Sequence, residues 1–363
     1  MRFALVGTGL MAQEHIRNLA LVEGMQVVAL VDPEESSLDW AKASLRESFG
    51  TSHDNIACFA NVSDMVGAVD VDAVIIASPN YTHHDVLLPL LETDLHILCE
   101  KPLCTTVEDA QDIARRVAGR QGVFWVGMEY RFMPPVSSFI ADVHTGRAGQ
   151  LRRLALHEHR FPFLRKVGDW NRFNRNTGGT MVEKCCHFFD LMRHIVQAKP
   201  VRVFCSGAAD VNHQDERYDG QVPDIIDNSY TVVDFENGVR ALLDLCMFAE
   251  GSEEQESLVA IGDKAKLEVG IPSGVKVFSP RSAQNSPAEI VREHVDVDSS
   301  VLAAGHHHGA TYFQLLAFLD AVAGRGPVQV TAEDGVWAVA MGAAAELSAR
   351  EKRAVEIAEL LPL

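Results

Sequence analysis

A short apolar segment, Arg2-Phe3-Ala4-Leu5-Val6, runs directly into Gly7-Thr8-Gly9-Leu10-Met11-Ala12, and an acidic residue, Asp32, closes the next apolar segment 20 positions beyond Ala12. Few folds accept this arrangement. Only glycine turns the backbone as tightly as position 7 requires, and the missing side chain at Gly9 lets a pyrophosphate approach the peptide N–H groups that open the following helix. Ala12 is small enough for that helix to pack on the strand. An amphipathic stretch (Ile16, Leu19, Ala20) follows, so strand, turn, helix and distal acid are all present and predict a dinucleotide cradle. Gly7, Thr8, Gly9, Leu10 and Met11 are its candidate contacts. A carboxylate at Asp32 suits ribose hydroxyls and repels a 2′-phosphate, and Pro33-Glu34-Glu35 supplies no cation to offset it, so NAD is favoured over NADP. The structural alternative for Asp32 is a helix cap.

At 363 residues and 47% apolar composition, the chain has material for two cores. A net charge of −18 argues against nucleic acid or an anionic membrane as partner. Seven scattered cysteines, two of them adjacent (Cys185, Cys186), suggest neither a disulfide framework nor a metal cage and read as buried thiols of a reducing compartment. With a strand predicted almost from Met1 and no apolar run of membrane-spanning length, the expectation is a cytoplasmic protein.

Apolar segments at 3–6, 27–31, 73–77, 97–99 and 123–126 alternate with helical stretches at 36–45, 86–91 and 107–118, the signature of a parallel sheet with crossovers. After residue 127 the texture changes to alternating segments at 154–159, 201–205, 230–235, 239–248, 257–261, 266–269 and 275–278, which predict one large antiparallel sheet. Ala-rich helices at 312–323 and 335–352 close the chain. The expectation is an α/β Rossmann domain over 1–127 and an α+β domain over 128–363 built on a large, mainly antiparallel open sheet, with the terminal helices able to pack back on the first domain.

Further candidate sites fall at predicted strand ends. Ser78, Pro79, Asn80 and His83 follow the segment 73–77, and Glu100-Lys101-Pro102 follows 97–99, both at the carboxyl edge where doubly wound sheets bind ligands. Lys101, held before a proline, would aim an ammonium at the nicotinamide crevice; the alternative is an ordinary surface lysine. In Gly178-Gly179-Thr180-Met181-Val182-Glu183-Lys184-Cys185-Cys186-His187, helical spacing sets Glu183, His187, Asp190 and His194 on one stripe. The stripe reads as a general base with its tuning acid, as metal ligands, or as a solvent-facing helix surface. Arg131 is either a pocket residue or an ion-pair partner, and His159 a pocket or sheet residue. Trp170 and Asn174 offer stacking and hydroxyl-binding groups. His306-His307-His308 reads as a mobile loop, with a role at the pocket left open, rather than a metal cluster.

Taken in order, Gly7-Thr8-Gly9-Leu10-Met11-Ala12, Ser78-Pro79-Asn80 with His83, Glu100-Lys101-Pro102, and Gly178-Gly179 leading to an acid four residues before a histidine resemble the Gfo/Idh/MocA oxidoreductases. The likeness extends through Asp334-Gly335 and the terminal Ala-rich helix. It implies an NAD-dependent dehydrogenase of a sugar, inositol or related polyol, forming a homodimer or homotetramer through the second domain's sheet. By that resemblance Lys101, Glu183 and His187 take the family's catalytic Lys, Asp and His positions, with Glu in place of Asp and Cys185 where glycine is common. His187 would take the hydroxyl proton, Lys101 would stabilise the reacting oxygen, and Glu183 would hold substrate hydroxyls or the imidazolium. The substrate set is then Lys101, Arg131, His159, Trp170, Asn174, Glu183 and His187, with no metal. Two other readings are a hydrolase or lyase using tightly held NAD for transient oxidation, and a non-catalytic sugar sensor.

Overall fold

The computed structural model describes residues 1–50, 56–282 and 289–362, and these divide into two compact units. The first comprises Met1–Phe132, Lys166–Trp170 and Asp298–Val339; the second comprises Met133–Arg165, Asn171–Val297 and Ala340–Leu363.

The described strands of the first unit are β1 (Arg2–Val6), β2 (Gln26–Val31), β3 (Ala57–Phe59), β4 (Ala73–Ile76), β5 (His96–Glu100) and β6 (Phe124–Gly127). They pair in parallel in the order β3-β2-β1-β4-β5-β6. Runs such as Phe3–Val6 and Ala73–Ile76 are buried throughout, as a sheet covered by helices on both faces requires. Strand order reverses between β1 and β4, and the crevice beyond their carboxyl ends is where such sheets take ligands. The segment 298–339 supplies the helix Ala310–Val322 and ties to the sheet where the Val126 N–H donates to Val330 O (3.2 Å).

The second unit holds β7 (Leu151–His159), β8 (Pro200–Ala208), β9 (Asn228–Phe235), β10 (Arg240–Cys246), β11 (Glu256–Gly262), β12 (Ala265–Ile271), β13 (Val275–Pro280), β14 (Val291–His294) and β15 (Val355–Glu356). Their order is β14-β13-β12-β11-β7-β10-β9-β8-β15. Residues alternate between buried and half-buried or exposed along β9, β10 and β11, giving one core face and one outer face. The helices Pro134–His144 and Cys186–Val196 cover the core face. On the outer face Phe204, Tyr230 and Val232 are exposed neighbours across β8 and β9.

The sheet departs from the purely antiparallel alternation in one respect. Strand β7 lies between two meanders, antiparallel to β11 but parallel to β10. Three strands had no sequence signal: β3 and β15 are very short, and β14 (Val-Arg-Glu-His) is exposed along its length, a polar edge of the kind that resists further pairing.

Candidate active site

In the first unit the turn between β1 and the helix Leu10–Ala20 has the shape of a phosphate cradle. Gly7 has φ +79°, and a Cβ there would collide with the backbone of Ala77 and Ser78 at the end of β4. Gly9 is the helix N-cap with φ −75°, and a Cβ there would meet nothing within 4 Å. The two glycines therefore serve different ends. Gly7 closes the turn against the neighbouring strand, whereas Gly9 leaves open space over the helix N-terminus, where backbone N–H groups and the helix dipole favour an anion. Leu10 is exposed and Met11 half-buried at the same lip.

Asp32 stands at the end of β2, and its Oδ2 accepts the Thr8 N–H (2.8 Å) and Oγ–H (3.0 Å) while Oδ1 accepts the Glu34 N–H (2.9 Å). The N-cap of the next helix is Glu34, not Asp32. The carboxylate is thus fixed beside the cradle with acceptor capacity remaining. At the end of β4, Asn80 is buried and its Nδ2 has no hydrogen-bond partner among the described residues. A buried donor in that condition costs about 1–3 kcal/mol unless a ligand satisfies it. The open Gly9 lip, the fixed Asp32 and the unmatched Asn80 donor together fit a dinucleotide.

Two residues expected at the cofactor are buried and engaged by protein groups. His83 is fully buried, its ring between Pro102 O (Nδ1, 2.8 Å) and Ser78 O (Nε2, 3.0 Å). It braces two ligand-edge loops, and burial lowers its proton affinity. Glu100 is also buried and accepts from His15 Nε2 (2.7 Å) and weakly from the Lys101 N–H (3.3 Å). Lys101 itself is half-buried, and its peptide bond to Pro102 is cis.

Arg131 has the ion-pair partner that one of its two readings calls for. Its guanidinium is buried, donates to Gln329 O (2.7 Å) and pairs with Asp334 (3.4 Å), which ties the segment after β6 to the start of the helix Ala332–Glu351. Trp170 stands edge-on to Tyr81, their ring centroids 6.2 Å apart.

In the second unit the predicted continuous helix is broken. Thr180–Glu183 forms one turn, and Cys186–Val196 forms the helix proper. Between them Thr180 O accepts both the Lys184 N–H (2.9 Å) and the Cys185 N–H (3.2 Å), so the chain widens by one residue there. Gly178 and Gly179, both at positive φ, lead into the turn, and a Cβ on Gly179 would collide with the Glu346 carboxyl. The stripe read from the sequence is accordingly interrupted after Glu183. It is not a solvent-facing surface, since Glu183, His187 and Asp190 are 5%, 2% and 3% exposed. His194, half-buried, sits edge-on to His144 instead (5.5 Å). Among the described residues no three His, Cys, Asp or Glu side chains converge as a metal site.

Beneath the break lies a charged cluster with no sequence signal at Lys184 or Glu256. Lys184 Nζ reaches Glu158 on β7 (2.8 Å), with Arg160 on the same carboxylate (3.4 Å) and buried Glu256 nearby. Burial and the adjacent Glu158 raise the Glu256 carboxyl, and burial lowers the Lys184 ammonium. Glu158 shares strand parity with Leu154 and Leu156 and faces the core. His157 and His159 therefore face the other way, where His159 pairs with Asp244 (3.3 Å) and His157 bonds Ser257 (2.7 Å). His159 is a sheet histidine on the face opposite the one that carries the helix Cys186–Val196. Asn174 begins a short helix, its N–H held by Asp224 (2.7 Å), and neighbouring Arg172 is locked by Glu216 (2.8 Å).

A Rossmann-type dinucleotide cradle, in a chain whose second unit carries buried acid and imidazole groups under a large open sheet, defines an oxidoreductase architecture. Residues 1–128 match the family model "Oxidoreductase family, NAD-binding Rossmann fold", and residues 141–357 match its "C-terminal alpha/beta domain". The chain belongs to the Gfo/Idh/MocA oxidoreductase family. It is 25% identical over 66% of its length to the uncharacterized oxidoreductase YrbE of Bacillus subtilis, a match that spans 65% of that protein. It is 22% identical over 99% of its length, and all of the relative's, to myo-inositol 2-dehydrogenase of Thermotoga maritima. A solved structure of levoglucosan dehydrogenase in complex with NADH shares the fold, with TM-score 0.82 at 18% identity, covering 98% of this chain and 99% of that one. No helix among the described residues is long and apolar enough to cross a membrane.

Proposed function

We propose that the protein is an NAD-dependent dehydrogenase that reversibly oxidises a secondary alcohol of a sugar, inositol or related polyol to a ketone. The observation that carries the reading is the cradle itself, in which Gly9 is open, Asp32 is fixed at the end of β2 and the Asn80 donor is buried without a partner. The inositol 2-dehydrogenases among its relatives support the substrate class.

Gly7, Thr8, Gly9, Leu10, Met11, Ser78, Pro79 and Asn80 would hold the dinucleotide, with Asp32 accepting from the adenosine ribose. A second phosphate on that ribose would meet the Asp32 carboxylate and the acidic Glu34-Glu35 that follow, which favours NAD over NADP. Bound there, the nicotinamide supplies a hydride acceptor. The protein's own groups manage the oxygen and the proton. His187 takes the hydroxyl proton, because an imidazole can accept and return one near neutral pH. Lys101 donates a hydrogen bond to the same oxygen as charge develops on it. Glu183 holds a neighbouring hydroxyl or the imidazolium, and Trp170 and Asn174 contribute stacking and hydroxyl recognition. The outer face of the second sheet, with Phe204, Tyr230 and Val232 exposed, is the surface through which a homodimer or homotetramer would form.

The test is reduced-nicotinamide absorbance after NAD, and separately NADP, is mixed with a panel of cyclitols, aldoses, anhydrosugars and sugar acids, in wild type and in Lys101→Met and His187→Asn. One compound should give NADH with the wild type. The variants should lose turnover while keeping NAD affinity by calorimetry. Equal turnover in the variants would remove Lys101 and His187 from the chemistry.

A further inference from the structure

Three charged side chains of the second unit stand where the period of their own element calls for an apolar one. Along β7 the inward positions are Leu154, Leu156 and Glu158, and along β11 they are Glu256, Leu258 and Ala260. In the sequence Lys184 continues the helical stripe of Phe188, Leu191 and Ile195, all of them buried. Lys184, Glu158 and Glu256 are themselves 5%, 0% and 2% exposed.

The three departures meet at one place. Lys184 Nζ lies 2.8 Å from Glu158 Oε1, and Arg160 Nη1 lies 3.4 Å from the same oxygen. Glu256 is the register partner of Glu158 across β7 and β11 and shares its face, which sets their Cβ atoms about 5 Å apart. Gln255 Nε2 donates to Glu256 Oε1 (2.7 Å). An ion pair taken this far out of water adds little stability over apolar residues of similar volume, so stability alone does not account for it. Breaks in local pattern that gather in this way mark functional or strained places.

The backbone at Lys184 is irregular. The Lys184 and Cys185 N–H groups both donate to Thr180 O, at 2.9 and 3.2 Å, and the regular helix restarts at Cys186. The widening falls between Glu183 and His187, so it sets the orientation of one relative to the other. No glycine or proline in 180–187 imposes it. Upstream, the turn is held where the Met181 N–H donates to Glu346 Oε1 (3.0 Å) and Thr180 Oγ donates to Ile226 O (2.6 Å). At the widening itself, the Lys184 side chain ties the turn to β7.

We propose that Lys184 is a positioning residue whose ion pair with Glu158 pins the widened turn to the sheet and so fixes the angle between Glu183 and His187. The inference rests on the reading that these two side chains serve the substrate, but the pinning itself can be measured without any substrate.

The experiment compares the whole wild-type protein with Lys184→Met and with the double variant Lys184→Met/Glu158→Gln. Removing the cation alone strands a buried carboxylate, so Lys184→Met should be less stable in urea, and removing both charges should return most of the loss. Activity should not follow stability: kcat should fall about tenfold or more in both variants, with NAD affinity by calorimetry within about twofold of wild type. Amide hydrogen exchange without substrate should be slow at residues 184 and 185 in the wild type and about tenfold or more faster there in both variants. A double variant that regains stability and kcat together overturns the proposal, since the pair is then structural only. Unchanged exchange at 184 and 185 in a folded variant also overturns it. Fast exchange of those two amides in the wild type does so whether or not the variants fold. If exchange responds as expected and no polyol is oxidised by any of the proteins, the pinning stands and the dehydrogenase reading falls.

Discussion

Gly7 and Gly9 sit two residues apart in one turn, yet substitution by alanine should have opposite consequences at the two positions. At Gly7 a Cβ would overlap the backbone of Ala77 and Ser78, and the positive φ is itself unfavourable for alanine. Backbone cannot swing aside as a side chain can, so the penalty combines left-handed strain with overpacking, together about 2–4 kcal/mol of folding stability. At Gly9 the φ of −75° is ordinary and the Cβ enters open space. Replacing a glycine N-cap by alanine costs about 0.5–1 kcal/mol, and reduced freedom of the unfolded chain returns a similar amount, so stability should change by less than about 0.5 kcal/mol. The added methyl would stand where a pyrophosphate must approach the helix N-terminus. Weakening of NAD by tenfold or more, about 1.4 kcal/mol, is expected from Gly9→Ala. Urea unfolding and calorimetric NAD titration on both variants separate the two effects. A Gly9→Ala protein of wild-type stability that binds NAD as tightly as wild type would refute the cradle as the dinucleotide site.

Three further perturbations follow from the same geometry. Asp32→Ser should narrow the preference for NAD over NADP, read as the ratio of their dissociation constants; an unchanged ratio would take Asp32 away from the ribose. Arg131→Met should cost about 2–4 kcal/mol in urea unfolding, because it strips a buried cation from Asp334, whose carboxylate also accepts from Thr331 (2.8 and 3.0 Å). Its substrate KM should stay within twofold, whereas a large rise in KM would return Arg131 to the pocket. Burial raises the Glu346 carboxyl to about 7 while it accepts the Met181 N–H (3.0 Å). The native state therefore binds a proton more tightly than the unfolded chain, and stability should fall as pH rises from about 4.5 to 7. Glu346→Gln should flatten its share of that fall, leaving the share of Glu129, whose carboxyl burial likewise raises to about 7, and stabilise the protein at pH 8 by about 2 kcal/mol; equal slopes in the two proteins would contradict the assignment.

The first unit was legible because its strands are apolar on both faces and because the turn chemistry at Gly7 and Gly9 is local. The carboxyl-edge positions of Asn80 and Lys101 followed from the strands that precede them. The break after Glu183 was not legible. No proline or glycine marks residues 184–185, and the widening reflects hydrogen bonding to Thr180 O rather than composition. The orientation of β7 did have a signal. Leu154 and Leu156 fix the inward parity, which assigns Glu158 to the core and His159 to the outer face, in keeping with the sheet-residue alternative for His159. Arg131 shows the limit of local reasoning, since its partners Gln329 and Asp334 lie about 200 positions away along the chain. Glu14 and His307, 293 positions apart along the chain, likewise pair only through the fold.

Transfer of a labelled carbinol hydrogen tests the central claim most directly. The substrate identified in the panel, deuterated at the oxidised carbon, would be incubated with the protein and excess NAD, and the nicotinamide pool analysed by mass spectrometry. The account predicts one deuterium in released NADH for each ketone formed. Deuterium retained in a redox-neutral product with no NADH released, or no transfer from any compound by a protein that binds NAD, would contradict it.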